Sequence, residues 1–288
     1  MGVAGEHLVH PYVNLITMLQ TPDPIRFIRA LGRIVTHGPR VPPSLKDNAL
    51  LNIIMRRRSW RNYRSDDIPA DVFAAILEAG RVAPSTVNLQ SWSFAAFTAA
   101  SWRDTFDRPL PFKAPRAVIV MGDTHRDRLA LGEEAIAHSP LVEYTIAVTN
   151  ASLAAMAMNL AAEALGVSSV MLSETGQSGL LDAEYLVQKL HLPPGVFPLM
   201  TIVFGYASGP NPPMPPRFPQ ETVCFDGASG YREPEPAVLQ DWLEEMLAGY
   251  KASHLTSSFQ AQLRLYQSKL GKAEADLRRM VFGETSTN

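Results

Sequence analysis

The stretch from Arg57 to Phe94 reads RRSWRNYRSDDIPADVFAAILEAGRVAPSTVNLQSWSF, and its pattern decides much of the fold. Five arginines lie between Arg56 and Arg64, and all but Arg56 belong to this stretch. Apolar residues at helical spacing then predict a helix over Asp71 to Gly80. A proline breaks that helix, and small polar residues follow, ahead of a strand predicted over Phe94 to Thr98.

The positive charge of the arginine run has to be offset. If the helix predicted over Ala49 to Arg58 continues, Arg57, Arg61 and Arg64 share one face. Like charges at that spacing repel each other by about 0.2–0.5 kcal/mol per pair. Solvent, acidic neighbours or a bound anion would each relieve this repulsion, and a solvated basic face is the ordinary explanation.

Two features of the run favour a bound anion. Ser59 places a hydroxyl donor among the guanidinium groups, as phosphate sites often do. Trp60 and Tyr63 add apolar bulk, which indicates that the segment is partly buried. The polar residues after the proline, Ser85 to Gln90, are by themselves ordinary turn chemistry.

The composition limits the classes of function. With 26 basic and 28 acidic residues, the formal net charge is −2, so no overall field attracts nucleic acid. Charged residues make up 19% of the chain, below the roughly 25% usual for soluble domains, which favours an oligomer. The single cysteine, Cys224, excludes an intrachain disulfide framework and fits a reducing compartment such as the cytoplasm. We expect Cys224 to be a small buried residue.

Strands and helices alternate from Ala49 onward, which predicts an α+β or α/β domain with a modest sheet. The predicted strands are Phe94 to Thr98, Ala117 to Gly122, Val167 to Leu172 and Met200 to Tyr206. The predicted helices are Ala49 to Arg58, Asp71 to Gly80, Val142 to Leu165, Leu180 to Leu190, Val238 to Tyr250 and Ser258 to about Met280.

The helix predicted over Val142 to Leu165 is apolar nearly all round. It contains Glu143, Asn150, Asn159 and Glu163, so we interpret it as a buried helix of a soluble protein and not as a membrane span. We expect it to be the central helix, covered on every side.

The first part of the chain differs in character, and we predict an N-terminal extension over 1–48 and a main domain over 49–288. In the extension, Asp23 and Pro24 predict the start of an amphipathic helix. We expect this helix to pack against its own protein, followed by a proline-rich linker at His37 to Ser44. Another proline-rich piece, Ser208 to Gln220, predicts an extended arm.

The quoted stretch resembles the N-terminal signature of the FMN-dependent nitroreductase superfamily. That signature is R-R-S-x-R-x-F/Y, a helix, and then P-S-S/T-x-N-x-Q-x-W. The segment AVTNASLAAMAMNLAAEALGVSSVML is similar to the family's central helix and following strand. The segment from Leu186 to Gly227 resembles its leucine-proline turn, last core strand and arginine-bearing arm. The C-terminal helices most resemble the oxygen-insensitive NADPH nitroreductase and flavin reductase branch, in diverged form.

The resemblance implies a fold and a function. The fold would be α+β, with a central mixed sheet flanked by helices, in an interlocked homodimer. FMN would be the cofactor and NAD(P)H the co-substrate, with ping-pong hydride transfer to a planar, electron-poor acceptor such as a nitroaromatic, quinone, flavin or enone. No catalytic side chain, metal, nucleic acid or membrane partner would be needed, because the cofactor carries the chemistry.

The resemblance also implies site residues. Arg57, Arg58, Ser59 and Arg61 would hold the ribityl phosphate and pyrimidine edge of FMN, and Arg217 on the arm would close on the same phosphate. Ser85, Thr86 and Asn88 would reach the FMN of the other subunit, and Ser173 and Glu174 would lie near flavin N5. Gln90 and Trp92 also match the motif, although we expect Trp92 to pack in the core.

Departures from the family pattern keep alternatives open. Pro215 stands where the branch has a lysine, with Arg40 as a candidate replacement, and the segment beginning Ser173-Glu174 stands where the family often has two glycines. The chain could therefore be a specialised biosynthetic flavin dehydrogenase, or an FMN-binding or storage protein without turnover. A hypothesis without flavin makes the arginines and the N-terminal helix a surface for anionic lipid or nucleic acid.

Overall fold

The computed structural model describes residues 23–36, 38–132, 139–172, 182–254 and 256–283. The chain forms two compact units, one made of Met1–Pro39 with Pro213–Leu265 and the other of Arg40–Pro212 with Tyr266–Asn288. The division of roles predicted for 1–48 and 49–288 stays a prediction.

The predicted elements are present, with their ends displaced by a few residues. The strands are β1 (Trp92–Thr98), β2 (Arg116–Asp123), β3 (Ser168–Leu172) and β4 (Val196–Gly205). The described α-helices are α1 (Pro24–Thr36), α2 (Ala49–Arg56), α3 (Ala70–Arg81), α4 (Ala99–Phe106), α5 (His125–Leu131), α6 (Pro140–Ala164), α7 (Ala183–Leu190), α8 (Gln220–Val223), α9 (Pro236–Ser253) and α10 (Phe259–Phe282).

The four strands form one sheet in the order β1-β2-β4-β3. Each neighbouring pair is antiparallel, with Phe94 opposite Val120 and Val170 opposite Val203. The α+β class is confirmed, but the expected mixed sheet is not found among these strands. Parallel pairing occurs at one isolated bridge, between Ser59, which lies outside the strands, and Ser169 of β3.

Both faces of the sheet are buried, because alternate residues of a strand point to opposite sides. Val118 and Val120 of β2 belong to the core that contains residues of α3 and α6. Ala117 and Ile119, on the opposite face of the same strand, pack in a second core with the aromatic residues of α4. The sheet therefore lies between two layers of helix.

Helix α6 packs closely against its neighbours, and two glycines permit this. A Cβ atom at Gly80 of α3 would lie 2.8 Å from Met158 Cγ, and one at Gly122 of β2 would lie 3.0 Å from Ala147 Cβ. The buried residues of α6 are Ala147, Asn150, Ala151, Ala154, Ala155, Met158, Asn159 and Ala162.

The opposite side of α6 is open within one chain. Val142, Leu153 and Met156 are 52%, 43% and 39% exposed. The prediction that this helix is covered on every side is therefore wrong for a single chain, because the sheet, α2 and α3 leave this side open. Among the described helices, α6 alone has the length and apolar composition of a membrane span, but its buried face belongs to the protein core.

The first unit contains α1, which begins as predicted: Asp23 Oδ1 accepts a hydrogen bond from the Ile25 amide at 3.0 Å. Ala30 and Ile34 of α1 pack with Ala248 of α9. The expectation that the helix packs against its own chain is confirmed.

The proline-rich arm contains no helix or strand from Ser208 to Pro219, as predicted. Cys224 is exposed, which corrects the expectation of a buried cysteine. It directly follows the one-turn helix α8 and belongs to none of the described core clusters.

Candidate functional site

Helix α2 ends at Arg56, so the arginine run does not continue as a helix. Arg57 has φ −51° and ψ 132°, which takes the chain out of the helix. Arg57, Arg61 and Arg64 therefore do not share a helical face, and the predicted spacing argument does not apply.

The sheet holds the segment after α2. Ser59 forms its parallel bridge with Ser169 of β3, and the Trp60 amide donates to the Ser169 carbonyl at 3.1 Å. Further along, the Arg64 amide donates to the carbonyl of Tyr206, just after β4, at 2.9 Å. Backbone hydrogen bonds to two neighbouring strand ends therefore position the segment 57–64, which we call the arginine segment.

One guanidinium of the segment is fixed at the end of α2. Arg58 is half-buried, and its Nη1 donates to the carbonyl oxygens of Met55 and Arg57 at 2.9 and 2.8 Å. These carbonyls lie at the negative C-terminal end of the helix, where a cation is stabilised. Arg58 is therefore a fixed positive charge rather than a side chain extended into solvent.

Two other guanidiniums of the segment have no counter-charge in direct contact among the described residues. Within the described ranges, neither Arg57 nor Arg61 forms a side-chain hydrogen bond or ion pair. The nearby carboxylates have other partners. Asp66 forms an ion pair with Arg64 at 3.5 Å, and Asp67 accepts two hydrogen bonds from the Arg116 guanidinium. Asp66 and Asp67 therefore do not pair with Arg57 or Arg61.

A carboxyl of α6 lies within electrostatic reach of the segment. Burial raises the pKa of Glu163 above its ordinary value, while Arg57 and Arg58 act in the opposite direction. Its Oε1 atom is buried and has no hydrogen-bond partner in the described part of the chain. Burial also raises the pKa of the Tyr63 hydroxyl, which donates to the Trp60 carbonyl at 2.7 Å.

The second predicted segment is a strained loop between α3 and β1. Val87, Asn88 and Gln90 have positive φ angles of 42°, 60° and 55°. Non-glycine residues adopt this conformation at a cost, and a β-branched residue such as valine does so rarely. We call residues 85–90 the polar loop.

Asn150 of α6 holds the polar loop in place. Its Oδ1 atom accepts from the Thr86 amide at 3.0 Å and from the Thr86 hydroxyl at 3.2 Å. Its Nδ2 atom donates to Ser91 Oγ at 3.4 Å, and Ser91 Oγ in turn donates to Asp127 Oδ2 at 2.6 Å. Burial raises the pKa of Asp127, and the bond from Ser91 opposes that shift.

The remaining predicted residues fall in three places. Trp92 is buried in the core, as expected. Arg217 lies on the arm in the first unit, exposed, with a bond from its Nη1 to the Pro216 carbonyl at 3.3 Å. Ser173 and Glu174 lie outside the described residues. Within the described ranges, no group of three or more His, Cys, Asp or Glu side chains could hold a metal ion.

The sequence reasoning did not recognise what three polar residues of α6 contact: Asn150 bonds the polar loop, Asn159 bonds Ser169 of β3, and Glu163 interacts electrostatically with Arg57 and Arg58. It used them to argue against a membrane span and did not connect them with the site. The available signal was a polar side chain at a helix position that the apolar pattern assigns to the core, since such a group needs a partner there.

Residues 54–206 match the model of the Nitroreductase family. A curated relative, FMN reductase (NAD(P)H) from Bacillus subtilis, is 25% identical over 188 residues, which are 61% of this chain and 72% of the relative.

Two solved structures share the fold. A hypothetical oxidoreductase from Bacillus subtilis has a TM-score of 0.65 and 21% identity, with coverage of 82% of this chain and 97% of the other. The NADPH:FMN oxidoreductase of Vibrio harveyi, complexed with NAD+, has a TM-score of 0.62 and 20% identity, with coverage of 77% and 92%.

Proposed function

This chain is a member of the nitroreductase family, and from that premise we propose that it is an FMN-dependent oxidoreductase that takes electrons from NAD(P)H. The observation that carries the proposal is the arginine segment. It presents Arg57 and Arg61 without a paired carboxylate in the described ranges, beside the fixed charge of Arg58. Such a cluster suits a multiply charged anion.

The residues present fit the cofactor. A phosphate monoester carries a charge of about −1.5 to −2 at neutral pH and binds best to several charge-assisted donors. Arg57, Arg61 and the hydroxyl of Ser59 would supply those donors at the phosphate, with Arg58 contributing a fixed positive charge. In the polar loop, Ser85, Thr86 and Asn88 would bond the flavin ring and ribityl chain.

Bound FMN would supply the redox chemistry, because a flavin can accept a hydride from NAD(P)H and reduce a planar, electron-poor acceptor in a ping-pong sequence. In this proposal the chain's side chains bind and orient the cofactor, and the reaction requires no side-chain nucleophile or metal ligand. The acceptor class we propose comprises nitroaromatics, quinones, free flavins and enones.

We also propose that two chains form each cofactor site. The open face of α6, with Val142, Leu153 and Met156, is the kind of apolar surface that a permanent homodimer buries. The arginine segment of one chain would then meet the polar loop of the other, with residues 49–288 as the FMN domain and 1–48 as an extension. We propose further that Arg217 contributes to binding the FMN phosphate and that the protein is cytoplasmic.

A second candidate function is FMN binding without turnover, or turnover in a specialised biosynthetic dehydrogenase. Pro215, where the branch has a lysine, and Glu174, where the family often has a small residue, motivate it, because these changes spare FMN binding more than the identity of the redox partners.

Purified protein tests both candidates. We expect a yellow protein whose colour is bleached under anaerobic conditions by NADH or NADPH and restored by a quinone or nitroaromatic. A yellow protein that neither nucleotide bleaches supports storage or a different electron donor. A colourless protein that does not quench the fluorescence of added FMN contradicts FMN binding altogether.

A further inference from the structure

We propose that α6 positions both parts of the cofactor site through two buried amides, Asn150 for the polar loop and Asn159 for the arginine segment. The inference rests on the proposed function, because it concerns the same site. It assigns a role to the polar residues of an otherwise apolar helix.

Asn150 is completely buried, and its side chain supports a loop that is unfavourable by itself. The Oδ1 atom of Asn150 accepts hydrogen bonds from both the amide and the hydroxyl of Thr86. Thr86 directly precedes Val87 and Asn88, whose φ angles are positive. Such backbone conformations persist only where surrounding contacts determine them. The bonds from Asn150 are such contacts, so they fix the direction in which Ser85, Thr86 and Asn88 project.

Asn159 acts on the other segment through one strand residue. Its Nδ2 atom donates to Ser169 Oγ at 2.5 Å, and both residues are buried. The Ser169 backbone forms the bridge to Ser59 and accepts from the Trp60 amide. Asn159 therefore fixes the position of the strand residue to which the arginine segment is attached.

The two amides lie at opposite borders of the buried face of α6. They are nine residues apart, which in an α-helix is about 13 Å along the axis and about half a turn around it. Between them lie the buried residues Ala151, Ala154, Ala155 and Met158, which pack in the core. One rigid helix thus sets the spacing between the two segments, and in the proposed dimer it would contribute to both cofactor sites.

The test compares FMN with riboflavin, which lacks the phosphate. Asn159→Leu should weaken FMN binding by about tenfold and riboflavin binding by less than about threefold, because the arginine segment serves the phosphate. Ser169→Ala removes the same contact without changing the helix, and it should have the same selective effect. Asn150→Leu should weaken FMN and riboflavin by equal factors, because the polar loop serves the part that the two ligands share.

Met158→Ala is the matched control, since it removes a fully buried side chain of the same helix that makes no polar contact. It should lower the melting temperature and leave the ratio of FMN to riboflavin affinity unchanged. Two results would overturn this inference and leave the proposed function intact. One is equal weakening of both ligands by Asn159→Leu and Ser169→Ala, and the other is no weakening by these two variants or by Asn150→Leu. If the wild-type protein bound neither ligand, the proposed function would fall, and the inference with it.

Discussion

The amide of Trp60 donates to the carbonyl of Ser169 over 3.1 Å and joins the arginine segment to strand β3. These residues are more than one hundred positions apart in the sequence, and Ser169 is itself held by Asn159 of α6. The arrangement of the arginines is therefore a property of the sheet edge and the central helix. It is not a property of the local helical pattern.

Removing a guanidinium from the cluster should weaken FMN binding. We expect Arg61→Ala to cost about 1.5–3 kcal/mol, the worth of a charge-assisted hydrogen bond, or about 10- to 150-fold in the dissociation constant. Arg58→Ala should also weaken FMN binding, because it removes the fixed positive charge beside the phosphate. Fluorescence titration with FMN measures this. Arg64→Ala is the control, because Arg64 pairs with Asp66 and is not one of the assigned phosphate donors, and it should bind FMN normally. Full retention of FMN by both test variants would remove the assigned phosphate site.

The carboxyl of Glu163 should make stability depend on pH. Its pKa is raised in the folded chain, so the folded state holds this proton more tightly than the unfolded state. The resulting penalty is absent below the ordinary glutamate pKa and grows as the pH rises above that value. Glu163→Gln should therefore raise the melting temperature at neutral pH and leave it unchanged near about pH 3.

Glu78→Gln provides a control of opposite sign for the Glu163 experiment. The hydrogen bond from Arg81 lowers the pKa of Glu78, so the ionised form favours the folded state. Its contribution is present above the ordinary glutamate pKa and is lost as the pH falls. Glu78→Gln should give a small loss of stability at neutral pH. A melting temperature of Glu163→Gln that follows the wild type at every pH would contradict the assignment.

A mixed dimer should show whether two chains build each site. One chain carries Arg58→Ala with Arg61→Ala, and the other carries Thr86→Val with Asn88→Ala. If each site combines the arginine segment of one chain with the polar loop of the other, one site of the mixed dimer is intact and one is doubly damaged. Isothermal titration should then find one FMN per mixed dimer, bound with wild-type affinity. Two weakened sites per mixed dimer, with none of wild-type affinity, would show instead that each chain binds FMN alone.

A charge on the open face of α6 should disrupt the proposed dimer. We expect Leu153→Glu to give a monomer in sedimentation experiments and to lose FMN, because a carboxylate would be buried without a partner in the interface. Leu129→Glu, on the exposed surface of α5, is the control and should remain dimeric. A Leu153→Glu protein that stays dimeric would place the interface on another surface.

The sequence alone determined the local elements. Alternating and helical hydrophobic patterns predicted the strands around Ala117 and Val170 and the helices around Phe73 and Ala154, because these patterns depend on neighbouring residues. The start of α1 after Asp23 and the extended proline-rich arm also followed from local chemistry, namely a capping side chain and the fixed φ of proline.

Tertiary structure decided where α2 ends, how the strands pair and what supports the site. The sequence pattern allowed the helix to continue beyond Arg56, but the helix ends there and the Trp60 amide donates to the Ser169 carbonyl, which is distant in the sequence. The antiparallel order and the partners of Asn150 and Asn159 likewise depend on groups distant in sequence. Most buried polar groups form hydrogen bonds, but only the folded chain determines which partner is within reach.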